Sequence, residues 1–209
     1  PKKAMGGGAR APTHAMSQEE IDGLIENFAA AARRAKVAGF DGVEIHAAHG
    51  YLLNQFYSPL MNQRTDAYTI KTLDGRLKLH LQVIAAVRKV LGRDLLLRMR
   101  FGASDYMVGG STIEDGVQAA KILESAGLSY LSISGGHCGS SPSNKKGVGY
   151  FGDSSEAIKQ QTTLPIILTG GVKTKEDAES LLQAGKADMI GVARAVIGNP
   201  DWARNAMSE

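Results

Sequence analysis

Residues 111–134 read STIEDGVQAAKILESAGLSYLSIS, and this stretch carries the pattern that decides the fold. Ser111 with Glu114 three residues on makes a capping box that opens a helix. The helix runs to Ala126, and Gly127 follows, where a left-handed cap favours glycine. The chain then enters the strand YLSIS. The same punctuation recurs on either side: Ala38-Gly39 and Ala184-Gly185 also end helices and lead within a few residues into strands.

Upstream, Leu73 to Gly92 reads as a helix with Leu77, Leu81, Ile84, Val87 and Leu91 as its apolar stripe, followed by the strand LLLRMRF. Further upstream, Ser17 and Glu20 make another capping box. Ile21, Leu24, Ile25, Phe28 and Ala32 then repeat at helical spacing, and the strand DGVEIH follows Gly39. It places Val43 and Ile45 on one face and Glu44 and His46 on the other. Downstream come a long Gly/Ser loop over 135–152, a short helix near 154–161 and the strand PIILTGG. A helix from Thr174 and Asp177 to Gly185 precedes the strand DMIGVA and a last short helix. Residues 1–16 show no periodicity and read as an exposed N-terminal arm.

Strict alternation of helix and strand argues for parallel strands with crossover helices. Five strands and no linker give one domain over residues 1–209. An open doubly wound sheet and part of a (β/α)8 barrel both fit.

Composition narrows the function classes. Of 209 residues, 43% are hydrophobic and 22% charged, enough for a packed core rather than disorder. No run approaches the roughly 18 apolar residues of a membrane helix, and no signal peptide is evident. A net charge of +3 is too small to argue for nucleic acid as a partner. The single cysteine, Cys138, excludes a disulfide framework and fits a reducing, cytoplasmic setting. Glycine is abundant, 25 residues, which asks for tight turns or close backbone approaches to a ligand.

In either architecture ligands gather at the carboxyl ends of the strands. The densest group there is Glu44-x-His46-x-x-His49-x-Tyr51. Two imidazoles and a phenol can donate hydrogen bonds to a substrate oxygen and supply a proton. A buried histidine, a surface histidine and a packed tyrosine would explain the same residues, and both readings stay open. A metal shared by His46 and His49 lacks a clear third ligand. Arg98 and Arg100 share one strand face, and a buried guanidinium needs an acceptor. Arg98 is expected to pair with Glu44, and Arg100 to reach an anionic or polar cofactor. Gly170-Gly171 and Gly191-Val192-Ala193-Arg194 end two consecutive strands, where barrels often bind phosphate through backbone N–H groups. Arg194 would add a charge-assisted contact. No GxGxxG follows a strand, so a Rossmann dinucleotide site is not expected.

At these residues the sequence resembles a known family. The run GFDGVEIHAAHGYLLNQFYSPLMNQRTDAY over 39–68 is similar to the signature of the old yellow enzyme family of FMN-dependent ene-reductases, in its NADH:flavin oxidoreductase and 2,4-dienoyl reductase branch. RMRFGASDY, ILTGGV and GVARAVIGNPDW agree in order. The resemblance implies an incomplete TIM barrel, its last five βα units, and reduction of an activated C=C bond in an enone or dienoyl compound. It implies FMN as cofactor and NADH or NADPH as reductant. His46 and His49 match the pair that binds the substrate carbonyl oxygen, and Tyr51 the proton donor. Arg100 matches the arginine near the polar edge of the flavin. Gly170, Gly171, Ala193 and Arg194 match the phosphate-binding loops. Five strands of a closed barrel leave two unpaired edges, so a homo-oligomer or a complementing N-terminal segment is expected.

Overall fold

The computed structural model describes residues 14–208; of the expected arm, only His14–Met16 fall within this range, and they have no regular structure. The elements run α1 (Gln18–Val37), β1 (Gly42–Ala47), α2 (Leu52–Tyr57), α3 (Leu73–Leu91), β2 (Leu96–Ser104), α4 (Ile113–Ser125) and β3 (Tyr130–Gly135). They continue as α5 (Gly152–Lys159), β4 (Ile166–Thr169), α6 (Lys175–Gln183), β5 (Met189–Gly191), α7 (Arg194–Gly198) and α8 (Trp202–Met207). Gly39, Gly127 and Gly185 take the left-handed conformation at their helix ends, with φ of 83°, 90° and 69°.

The five strands are all parallel and lie in the order β1-β2-β3-β4-β5. A doubly wound sheet reverses its order at a switch point; a barrel wall does not. Burial decides the same way. Ile45, Ala47, Leu97, Met99, Phe101, Leu131, Ile133, Ile166 and Leu168 are all buried, and most of them join one apolar cluster with Leu77, Ile84 and Leu123 of the helices. The opposite face carries Glu44, His46, Arg98, Arg100, Ser132 and Thr169. One face is thus covered by helices and the other, largely polar, is not, whereas a doubly wound sheet carries helices on both faces.

Three sequence expectations need correction. The box that opens α4 is Thr112 with Asp115, one residue later than Ser111 with Glu114. Ser111 is engaged elsewhere: its N–H donates to Asp105 Oδ2 (2.8 Å) and its carbonyl accepts from the Asp105 N–H (2.9 Å). The short helix after the long loop begins at Gly152 rather than near Ser154. Helix α2 is an element that the sequence pattern does not show; it is six residues long and follows Tyr51 directly. None of the described helices is long and apolar enough to cross a membrane.

Candidate active site

Register sets the site. Glu44 lies beside Arg98 and Tyr130, and one rung nearer the carboxyl end His46 lies beside Arg100 and Ser132. On the first rung Arg98 Nε donates to Glu44 Oε2 at 2.7 Å, the ion pair expected. The second rung has no carboxylate. Arg100 Nη2 reaches only Ser134 Oγ (3.4 Å) and Thr169 Oγ1 (3.5 Å), both long. Its Nε is buried without a partner among the described residues. A half-buried guanidinium whose Nε is so poorly matched is costly unless a ligand supplies the missing acceptor.

Above Arg100 opens a cleft of about 780 Å³, bounded also by Arg98, Thr169, Gly191 and Arg194. That volume suits a cofactor-sized ligand. Gly170 and Gly171 form one rim of it, with φ of 123° and 74°. A Cβ at Gly171 would lie 1.9 Å from the Gly147 carbonyl oxygen, and one at Gly170 2.7 Å from the Tyr150 ring. The Gly149 N–H also donates to the Gly170 carbonyl at 2.8 Å. These glycines therefore seat the long loop as well as lining the cleft. Ala193 caps α7, and the exposed Arg194 places Nη2 3.4 Å from Tyr150 Oη.

His46, His49 and Tyr51 meet at the end of β1. The His46 ring centroid is 5.1 Å from that of His49 and 5.2 Å from that of Tyr51. His49 adopts φ 62° and Gly50 φ 73°, so the chain turns sharply between the two histidines and Tyr51. Helix α2 holds that turn: the Gly50 N–H donates to Asn54 Oδ1 (2.8 Å), and Gln55 Nε2 donates to the Gly50 carbonyl (2.9 Å). His49 Nε2 bonds Ser134 Oγ at 2.7 Å, leaving Nδ1 for a ligand. Tyr51 is 62% exposed.

Burial pushes the His49 imidazole down to about 4, with the Arg100 and His46 charges adding to the effect. Burial and then Arg100 also lower His46, against a smaller opposing pull from Glu44. Both rings are therefore neutral at pH 7, each with one N–H to give. Among the described residues no group of three or more His, Cys, Asp or Glu side chains is arranged to hold a metal ion.

Two features lay beyond sequence reasoning. The clamp on Gly50 depends on Asn54 and Gln55, whose only signal was their place just after Tyr51. The second is the buried carboxylate of Asp105, which gathers donors from three segments.

The family model described as NADH:flavin oxidoreductase / NADH oxidase matches residues 3–209. The chain belongs to this family. It is 38% identical over 191 residues to an NADH oxidase of Thermoanaerobacter brockii, an alignment covering 90% of this chain and 29% of that protein. It is 38% identical over 195 residues to an NADPH dehydrogenase of Halalkalibacterium halodurans, covering 93% of this chain and 56% of the relative. Among solved structures, a 2-naphthoyl-CoA reductase complex superposes with a TM-score of 0.84 at 30% identity, over 91% of this chain and 29% of the other. Morphinone reductase in complex with tetrahydroNAD gives 0.75 at 30% identity, over 92% and 50%. The chain thus spans from 29% to 56% of these curated relatives' length. Its five-stranded sheet is part of the old yellow enzyme (β/α)8 barrel.

Proposed function

We propose that this chain, read as one incomplete barrel domain, carries the flavin-facing and substrate-facing wall of an FMN-dependent ene-reductase. It would reduce the activated C=C bond of a small enone or dienoyl compound at the expense of NADH or NADPH. One observation carries the reading: two neutral imidazoles and an exposed tyrosine cluster at the end of β1 beside Arg100, a half-buried arginine that has no carboxylate and lines the neighbouring cleft. The unpartnered Arg100 Nε fits a polar acceptor at the cofactor's ring, and Gly170, Gly171, Ala193 and Arg194 form a rim suited to its phosphate. Bound there, FMN supplies hydride chemistry and is recharged by the nicotinamide cofactor. His46 and His49 donate hydrogen bonds to the substrate's carbonyl oxygen and draw electron density from the double bond. Being neutral, they polarise it without surrendering a proton. Tyr51 delivers the proton to the carbon beside that carbonyl and regains one from solvent. Family membership and the two nicotinamide-named relatives support the redox class. The free thiol of Cys138 supports a cytoplasmic setting.

The test is turnover of 2-cyclohexenone with FMN and NADPH. Tyr51→Phe should lower kcat by about a hundredfold or more while FMN affinity holds, since the phenol makes no packing contact that the ring does not keep. Unchanged turnover in that variant overturns the role of Tyr51. A flavin-loaded chain that reduces no enone overturns the reaction class.

A second reading rests on the sheet edges. Among the described residues β1 and β5 each pair on one side only. In this reading the chain is a non-catalytic half-barrel or fragment that requires self-association or a complementing N-terminal chain to cover those edges. Sedimentation separates the two: an assembly supports the second, and an active monomer contradicts it.

A further inference from the structure

Asp105 lies just beyond β2 and is fully buried, yet no cation faces it among the described residues. Its carboxylate instead collects three hydrogen-bond donors. Oδ1 accepts from the His137 N–H at 2.6 Å. Oδ2 accepts from Ser58 Oγ at 2.6 Å and from the Ser111 N–H at 2.8 Å. The donors come from the loop after β3, the end of α2 and the turn before α4. The surrounding backbone is shaped to admit this group. A Cβ at Gly136 would stand 2.3 Å from Asp105 Oδ1, and one at Gly110 2.5 Å from Asp105 Cβ.

Two of those donors lead to the turn that carries His49 and Tyr51. Ser58 caps the far end of α2, the helix that begins immediately after Tyr51. His137 belongs to the loop on which the turn rests: its Nδ1 lies 3.2 Å from where a Gly50 Cβ would stand. The His49 N–H donates to the Gly135 carbonyl in the same loop at 3.1 Å. One carboxylate therefore holds both the floor beneath residues 49–50 and the far end of the helix that clamps Gly50. From this geometry we infer that Asp105 is a positioning residue, which sets the turn carrying His49 and Tyr51 by locking the loop at 135–137 to the end of α2.

An amide cannot replace it. Asparagine offers one acceptor oxygen and an NH2 group, and that NH2 would have to face the N–H of His137 or the donors of Ser58 and Ser111. The inference rests on the proposed reductase reading for its catalytic consequence, but its structural consequence can be read alone. In the full chain, Asp105→Asn should speed amide hydrogen exchange at His49, Gly50 and His137 by tenfold or more. Amides of α3 such as Val83 and Ile84 should keep their rates. In turnover the variant should lose tenfold or more in kcat with little change in KM, because a small misplacement of the proton donor is expensive. FMN affinity should stay within twofold, since Arg100, Gly170 and Arg194 do not touch Asp105. Should Asp105→Asn not fold, Ser58→Ala removes a single donor and should move the same three amides in the same direction. Unchanged exchange at His49 and Gly50, or a uniform rise across α3 as well, overturns the positioning role. Absence of FMN binding in the parent chain would instead overturn the reductase reading and leave the exchange result standing.

Discussion

Arg98 Nε sits 2.7 Å from Glu44 Oε2, and this pairing is what leaves the neighbouring Arg100 without a carboxylate. The two arginines occupy alternate positions on one strand and face the same side, yet β1 offers an acid to only one of them. Across from Arg100 it offers His46. The first arginine is satisfied by its own sheet, and the second is kept for something outside it.

Removing each arginine should therefore have different results. Arg98→Ala breaks a half-exposed ion pair and should cost stability only about 0–1 kcal/mol. Arg100→Met should weaken FMN binding by tenfold or more, about 1.4 kcal/mol, with little loss of stability. Fluorescence titration with FMN and urea denaturation read the two effects. Equal FMN affinity in the Arg100 variant would contradict the assignment.

His80 of α3 is fully buried, neither ring nitrogen has a partner among the described residues, and burial pushes its imidazole down to about 4. The folded protein refuses a proton that the unfolded chain accepts below its ordinary value near 6.5. Stability is then complete above pH 6.5 and falls as the pH drops toward 4, by up to about 3 kcal/mol from this residue. His80→Leu should flatten the loss between pH 6.5 and 4 in denaturation curves. An identical pH slope in parent and variant would rule this group out as its source.

Glycine at 171 and at 185 should differ in cost despite similar φ, 74° and 69°. A Cβ at Gly171 meets the Gly147 carbonyl oxygen at 1.9 Å, whereas none within 4 Å crowds Gly185. Gly185→Ala should cost about 1–2 kcal/mol, the backbone strain alone. Gly171→Ala should cost more and release the loop at 140–150 to limited proteolysis. Equal melting temperatures for the two variants would show that the loop is not seated there.

What was legible in the sequence was local. Capping boxes at Ser17 and Thr174, and the Ala-Gly stops, act over three or four residues and fixed α1, α6 and the helix ends. The α4 box was misplaced by one residue because Ser111/Glu114 and Thr112/Asp115 both satisfy the same spacing. Only the tertiary bonds from Asp105 to Ser111 choose between them. Helix α2 escaped because six residues make too short a period to read, and Pro59 follows closely. His46, His49, Tyr51 and Arg100 could be singled out because strand ends are privileged places. The Asp105 hub could not, because its donors at 58, 111 and 137 come together only in the folded chain.

In the proposed reductase FMN occupies the cleft above Arg100, next to the cluster of His46, His49 and Tyr51. The most direct measurement is a visible-absorbance titration of the full chain with FMN, followed by NADPH without oxygen and then 2-cyclohexenone. A saturable flavin spectrum is expected, which bleaches with NADPH and returns with the enone, with an affinity tenfold or more weaker in Arg100→Met. A chain that stays colourless and leaves the spectrum of free FMN unchanged would contradict it.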